Sequence, residues 1–137
     1  MNINLRIVIL GGFVFVLLAL MVFRSCSRPP KKGELVYQTN CASCHGANGE
    51  GFRNLIPPLT DSNYLDSHSA DFACIVGYGL DEEITVNGVK FNQPMAGLEN
   101  LNNIEITNVA NYVYERWSTS KKKFTPKEIE NALVNCE

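Results

Sequence analysis

Histidine is almost missing from this chain: His45 and His68 are the only two in 137 residues. That scarcity excludes a metal centre assembled from several imidazoles. A Cys41-x-x-Cys44 pair is present, but no second CxxC, CxxH or HxxxH occurs. A structural zinc site therefore lacks its second pair of ligands. A thioredoxin-like dithiol needs a βαβ setting, and the flanks of the pair do not supply one. Positive charge is not in excess either. Residues 31–137 hold 9 basic and 14 acidic side chains, a net of −5. A moderately acidic domain argues against nucleic acid as a partner. It fits a basic patch on a protein, although an ordinary soluble surface has the same balance. No internal repeat and no low-complexity tract is visible, so a repeat array is excluded. The length leaves room for one domain plus a short anchor.

What is there centres on Cys41-Ala42-Ser43-Cys44-His45. Cysteines at i and i+3 lie on one side of a helical turn, and a histidine follows at once. Two thiols so placed can each form a thioether to a porphyrin vinyl group, and the imidazole then lies under the iron. The pattern predicts one covalently bound haem c with His45 as axial ligand. A second axial ligand has to come from far along the chain, because the porphyrin lies between the two. Met95 is the candidate, in the loop Asn92-Gln93-Pro94-Met95-Ala96-Gly97. A thioether is a soft neutral ligand that favours ferrous iron and raises the potential. Met1 and Met21 lie in or beside an apolar run and cannot reach. His68 sits in the polar stretch Asp66-Ser67-His68-Ser69 and reads as a surface residue. His68 and Arg53 are also the only distal acid–base groups on offer. The imidazole of His45 should donate its second N–H to a backbone carbonyl. The non-helical Pro57-Pro58 segment can present one, and Leu55, Ile56 and Leu59 beside it are apolar haem contacts.

From Ile7 to Phe23 runs an unbroken series of 17 apolar or glycine residues. At 1.5 Å per residue it spans about 26 Å, slightly short of a hydrocarbon core of about 30 Å. Arg6 and Arg24 can snorkel at the two ends. The expectation is an uncleaved N-terminal transmembrane anchor over 1–24, a Pro29-Pro30 linker over 25–32, and the haem domain over 33–137. Acylation of Cys26 with loss of the helix, and cleavage to a free domain, are the alternatives. The basic residues after the run outnumber Arg6, which favours a cytoplasmic C-terminus. Covalent haem attachment requires the outer side, and that requirement decides. Of five cysteines, two go to haem. Cys74 and Cys136 either pair, as an oxidising compartment permits, or stand as two buried thiols.

The remaining pattern predicts a mostly helical domain. A first helix covers Gly33–Cys44, with Leu35, Val36, Tyr37 and Cys41 on its apolar side. Gly46, Gly49 and Gly51 mark an irregular loop. A short helix covers Ala70–Val76, opened by Ser69 and stopped by Gly77 and Gly79. Asn87-Gly88 between Ile84–Val86 and Val89–Phe91 signals a two-residue hairpin. Asn102–Trp117 is the clearest helix, with Asn102 and Glu105 in a capping-box pattern. Its apolar stripe is Ile106, Val109, Tyr112, Val113 and Trp117. Thr125-Pro126-Lys127-Glu128 opens a last helix that reaches about Asn135. Lys121-Lys122-Lys123 between these two helices reads as a solvated turn, with a basic docking patch as the alternative.

Residues 33–117 resemble a class I, mono-haem cytochrome c domain. Gly33, Tyr37 and Cys41 match that family's spacing of glycine, aromatic and haem motif on the helix that crosses its C-terminal helix. Val109 and Tyr112 are similar to the partner face. Pro57 corresponds to the proline whose carbonyl accepts from the axial histidine, with Leu59 two places on. Gly77-x-Gly79, the Ile84–Phe91 hairpin and the methionine resemble members serving respiratory chains and membrane oxidoreductase complexes. In one respect the chain departs from many members: Pro94 precedes Met95, where they carry proline just after the methionine. The resemblance implies an all-α cytochrome c fold with one small hairpin. It implies a protein that is an electron carrier and no enzyme, with no small-molecule substrate. Its partners would be membrane-bound redox proteins, and its place the outer face of the cytoplasmic membrane. A haem enzyme or sensor whose sixth site opens is the alternative.

Overall fold

The computed structural model describes residues 9–16 and 30–136. The chain divides into two units, Met1–Pro30 and Lys31–Glu137. In the first, residues 9–16 are helical, and large apolar side chains such as Leu10, Phe13 and Phe15 are exposed. Among the described residues no helix is long and apolar enough to cross a membrane. Most of the anchor expected over 1–24, the linker up to residue 29, and Cys26 lie outside the described residues.

The second unit is mostly helical. Helix α1 (Lys32–Asn40) leads into the single turn α2 (Ala42–His45). The one helix expected over Gly33–Cys44 is broken at Cys41, whose φ and ψ are −116° and −36°. The carbonyl of Cys41 restarts the helix by accepting from His45 N at 2.9 Å. α1 packs against α5 (Asn103–Arg116). Contact is backbone to backbone at Gly33, where a Cβ would stand 2.0 Å from the Asn108 carbonyl oxygen. One turn on, Tyr37 is fully buried. Its ring centroid lies 5.5 Å from that of Tyr112 and 4.9 Å from that of Trp117. Leu35, expected on the apolar side, is 59% exposed. The buried face of α1 follows the i, i+4 pair Gly33–Tyr37, and Leu35 lies on the other side of the helix.

α5 begins as its sequence predicts. Asn102 Oδ1 accepts from Ile104 N and Glu105 N, and Glu105 accepts from Asn102 N at 3.0 Å. Ile106, Val109, Ala110, Val113 and Trp117 form its buried stripe, while Tyr112 is half-buried. α6 (Pro126–Val134) opens on a second capping box, Thr125 with Glu128. Its Ile129 is buried against the core. A disulfide joins Cys74 to Cys136, which decides between the two readings of these cysteines.

Helix α4 (Phe72–Tyr78) starts two residues later than the pattern suggested. Ser69 does not cap it; Asp71 holds the N-cap place without a side-chain bond. Gly77 lies inside the helix, and Gly79, with φ +91°, stops it. Before it comes α3 (Asn63–Ser67), which sequence pattern did not suggest, capped by Ser62 through Leu65 N at 3.2 Å.

β1 (Gly79–Leu80) pairs antiparallel with β4 (Met95–Ala96), Leu80 opposite Met95. β2 (Ile84–Val86) and β3 (Val89–Phe91) form the expected hairpin. Asn87 and Gly88 both have positive φ, +51° and +81°, as a type I′ turn requires. At Gly79 a Cβ would stand 2.4 Å from the Met95 carbonyl oxygen, so only glycine lets β1 and β4 approach this closely.

The end of α5 is tied down by a carboxylate. Asp66 accepts from the hydroxyls of Ser118 and Thr119 and from Thr119 N. Ser118 is buried. The Ser118 and Thr119 hydroxyls hold Asp66 below the usual carboxylate range. A folded-state value below the unfolded one, about 3.9, means stability present above that pH and lost as pH falls through the folded value. Asp66→Asn should therefore flatten the fall in melting temperature below about pH 4. Melts of both proteins between neutral pH and the acid arm check it. Parallel curves would show that Asp66 contributes nothing through its charge.

Candidate functional site

The helices and loops line an open, apolar cavity of about 530 Å³, within the range of about 300–1,000 Å³ usual for cofactor sites. Cys41, Cys44, His45, Pro57, Leu59 and Met95 all line it. The six residues singled out from sequence are thus brought together, across 54 positions of chain.

The thiols and the imidazole come from α1–α2. Tyr37 holds the turn that follows: its hydroxyl donates to the Gly46 carbonyl at 2.6 Å. Burial pushes that phenol well above its ordinary range. Cys41 is half-buried and Cys44 exposed, and neither is in a disulfide. Burial, with Cys44 adding to it, pushes the Cys41 thiol up to about 11. A redox dithiol depends on a lowered thiol, and the burial of Cys41 works against one. Among the described residues no group of three or more His, Cys, Asp or Glu could hold a metal ion.

His45 Nδ1 lies 3.1 Å from the Pro57 carbonyl oxygen. A carbonyl only accepts, so Nδ1 carries the proton and Nε2 keeps its lone pair. Burial lowers the imidazole's proton affinity and the bond to Pro57 offsets part of that. A neutral ring with Nε2 available is the form that ligates iron. Met95 enters from another element. It is half-buried on β4, and its neighbour Pro94 lacks an N–H. Pairing with Leu80 sets its register. Leu65, Phe72, Val76, Val109 and Val113 make the apolar interior. Two thiols on one wall, an imidazole with a free Nε2, a thioether from a distant strand and an apolar hollow form a donor set that fits haem c.

Two placements differ from the sequence expectation. His68 is no plain surface residue: it is half-buried and lines the cavity. Its ring stacks on Tyr64 with centroids 3.9 Å apart and planes 11° apart. The available signal was Tyr64 four places ahead, the spacing at which side chains meet on a helix. The second is Phe52, which sequence reasoning passed over. It is 53% exposed, lines the cavity, and sits beside Leu55, 52% exposed. Arg53, a distal acid–base candidate, does not line the cavity; its guanidinium lies 5.5 Å from the Phe52 ring centroid.

Several known proteins are similar to this chain. A cytochrome c-552 of Thermus thermophilus is 29% identical over 83% of this chain and 82% of its own length. Another cytochrome c-552 from that organism is 31% identical over 72% of this chain and 81% of its own. A thiosulfate dehydrogenase of Allochromatium vinosum is 31% identical over 59% of this chain but only 29% of its own length. Residues 30–117 match the sequence profile of the family described as Cytochrome c, and the chain accordingly belongs to the cytochrome c family, whose members carry covalently bound haem c.

Proposed function

We propose that this protein is a membrane-tethered electron carrier. It would hold one haem c by thioether bonds at Cys41 and Cys44, with His45 and Met95 as axial ligands. One observation carries the reading: an imidazole pinned through Nδ1 by Pro57 and a methionine on β4 line the same apolar cavity as the two thiols. When bound, the haem supplies a one-electron couple between ferric and ferrous iron.

His45 and Met95 would together hold the iron, leaving no position for a substrate. The methionine thioether would favour the ferrous form. The apolar walls would keep water from reorganising around the iron. The apolar run from Ile7 to Phe23, helical over 9–16 and apolar all round that stretch, supports a tether at the cytoplasmic membrane with the domain on its outer face. Confinement there raises the domain's effective concentration for membrane-bound redox partners. The helix α6, beyond the matched residues 30–117, supports a place as a subunit of a respiratory complex.

Met95→Ala tests the iron site. The wild type should show a weak absorption band at the red edge of the visible spectrum in the ferric state, and the variant should lose it. The ferrous variant should bind carbon monoxide where the wild type does not. Carbon monoxide binding by untreated wild type would overturn the six-coordinate reading and favour an enzyme or sensor.

A further inference from the structure

Positive charge in residues 31–137 is gathered at one place. Residues 31–32 and 121–127 hold six of the nine basic side chains and no acidic one. All other positions together hold three basic and 14 acidic side chains. The two stretches lie far apart in sequence, and Glu115 joins them. One of its carboxylate oxygens accepts from Lys31 Nζ at 2.8 Å, the other from Lys123 Nζ at 3.0 Å. Lys121 donates to the Glu115 carbonyl at 3.1 Å. Lys122 donates to Ser69 Oγ at 3.2 Å, with its ammonium 4.8 Å from the Phe124 ring centroid. The turn between α5 and α6 thus holds its lysines in place against the domain. Lys127 follows in the first turn of α6. All six lysines except Lys122 are exposed. Four carboxylates stand around them. Glu115 is engaged by two lysines, Glu128 by the Thr125 cap, and Glu130 lies 3.7 Å from Lys127. Glu34 is half-buried. Six lysines still exceed four carboxylates.

We propose that Lys31, Lys32, Lys121, Lys122, Lys123 and Lys127 form a surface that docks the domain on an anionic phospholipid membrane. The inference rests on the membrane tether read from the run Ile7–Phe23. Lys31 follows Phe23 by eight residues, at most about 29 Å of extended chain. The cluster is therefore confined near the lipid whether or not it binds. Arg24 and Arg28 in the connecting stretch add positive charge beside it. A lipid surface attracts basic side chains next to an anchor over about one Debye length, about 8 Å at physiological salt. The same surface repels the rest of the domain, where carboxylates dominate. Attraction on one face and repulsion elsewhere fix an orientation as well as a distance. None of the six lysines lines the cavity, so this surface is separate from the cofactor's. Four of them also lie beyond the residues 30–117 that match the family profile.

The experiment uses the full-length holoprotein reconstituted into vesicles of phosphatidylcholine alone or mixed with phosphatidylglycerol. Brief treatment with acetic anhydride, read by mass spectrometry, reports how open each lysine is. On the anionic vesicles at low salt, Lys32, Lys121 and Lys127 should react more slowly by about threefold or more. Lys90, on the β2–β3 hairpin, should react equally on both. At about 1 M salt, where the Debye length is about 3 Å, the difference should vanish. Equal rates for the cluster on the two lipids at low salt would overturn the proposal and leave the lysines to an acidic protein. So would an equal slowing of Lys90, since the whole domain would then be shielded without orientation. Protein that washes off phosphatidylcholine vesicles would instead overturn the tether. If it then stays on the anionic vesicles and salt releases it, the lysine surface stands without the tether.

Discussion

Breaking the Cys74–Cys136 disulfide should lower the stability of the domain by about 4 kcal/mol, the loop-closure value for residues 62 apart. The bond joins the end of α6 to α4, where the helix otherwise rests on buried Ile129 and the half-buried Ala132 and Leu133. Of its nine residues only Ile129 is buried, and Val134 is 80% exposed. Thr125 and Glu128 begin the helix but do not bind it to the core. A nine-residue helix is marginal in isolation. Replacing both cysteines with alanine and following urea unfolding of the holoprotein measures the loss. The visible spectrum before unfolding should stay as in wild type, because neither cysteine lines the cavity. A loss below about 1 kcal/mol would mean that α6 is held by its packing alone.

Gly33→Ala is expected to cost about 3 kcal/mol, the upper part of the range for overpacked sites. The added methyl would meet the Asn108 carbonyl oxygen at 2.0 Å and Tyr112 Cβ at 2.8 Å. Neither is the free end of a flexible chain, so α1 itself has to lift from α5. Tyr37, packed on Tyr112 and Trp117 one turn later, moves with it. On a domain of this size the melting temperature should drop by roughly 15 °C. Leu35→Ala, on the exposed side of the same helix, should change stability by less than about 0.5 kcal/mol. Equal melting of Gly33→Ala and wild type would show that the helices have room to spare.

What was legible in the sequence depended on how local its cause is. Asn102 with Glu105 and Thr125 with Glu128 announce helix starts because cap and partner lie within one turn. Asn87-Gly88 announces the hairpin because both positions need positive φ. Cys41, Cys44 and His45 are adjacent, so their chemistry is written in five residues. The β1–β4 ladder was not legible, since two residues on each strand carry no periodicity. α3 has five residues, fewer than a hydrophobic repeat needs to show itself. Asp71 at the N-cap place of α4 and the break at Cys41 depend on the turns around them. His68 looked like surface because Asp66, Ser67 and Ser69 flank it, yet those neighbours bond to the protein itself.

The apolar hollow described above has a consequence for how such a chain comes into being. Its walls are apolar, and Phe52 and Leu55 among them are more than half exposed. An unfilled hollow leaves that surface against water and forgoes the hydrophobic stabilisation that covering it would bring. The chain that has not yet gained its pigment should therefore melt earlier than the finished protein.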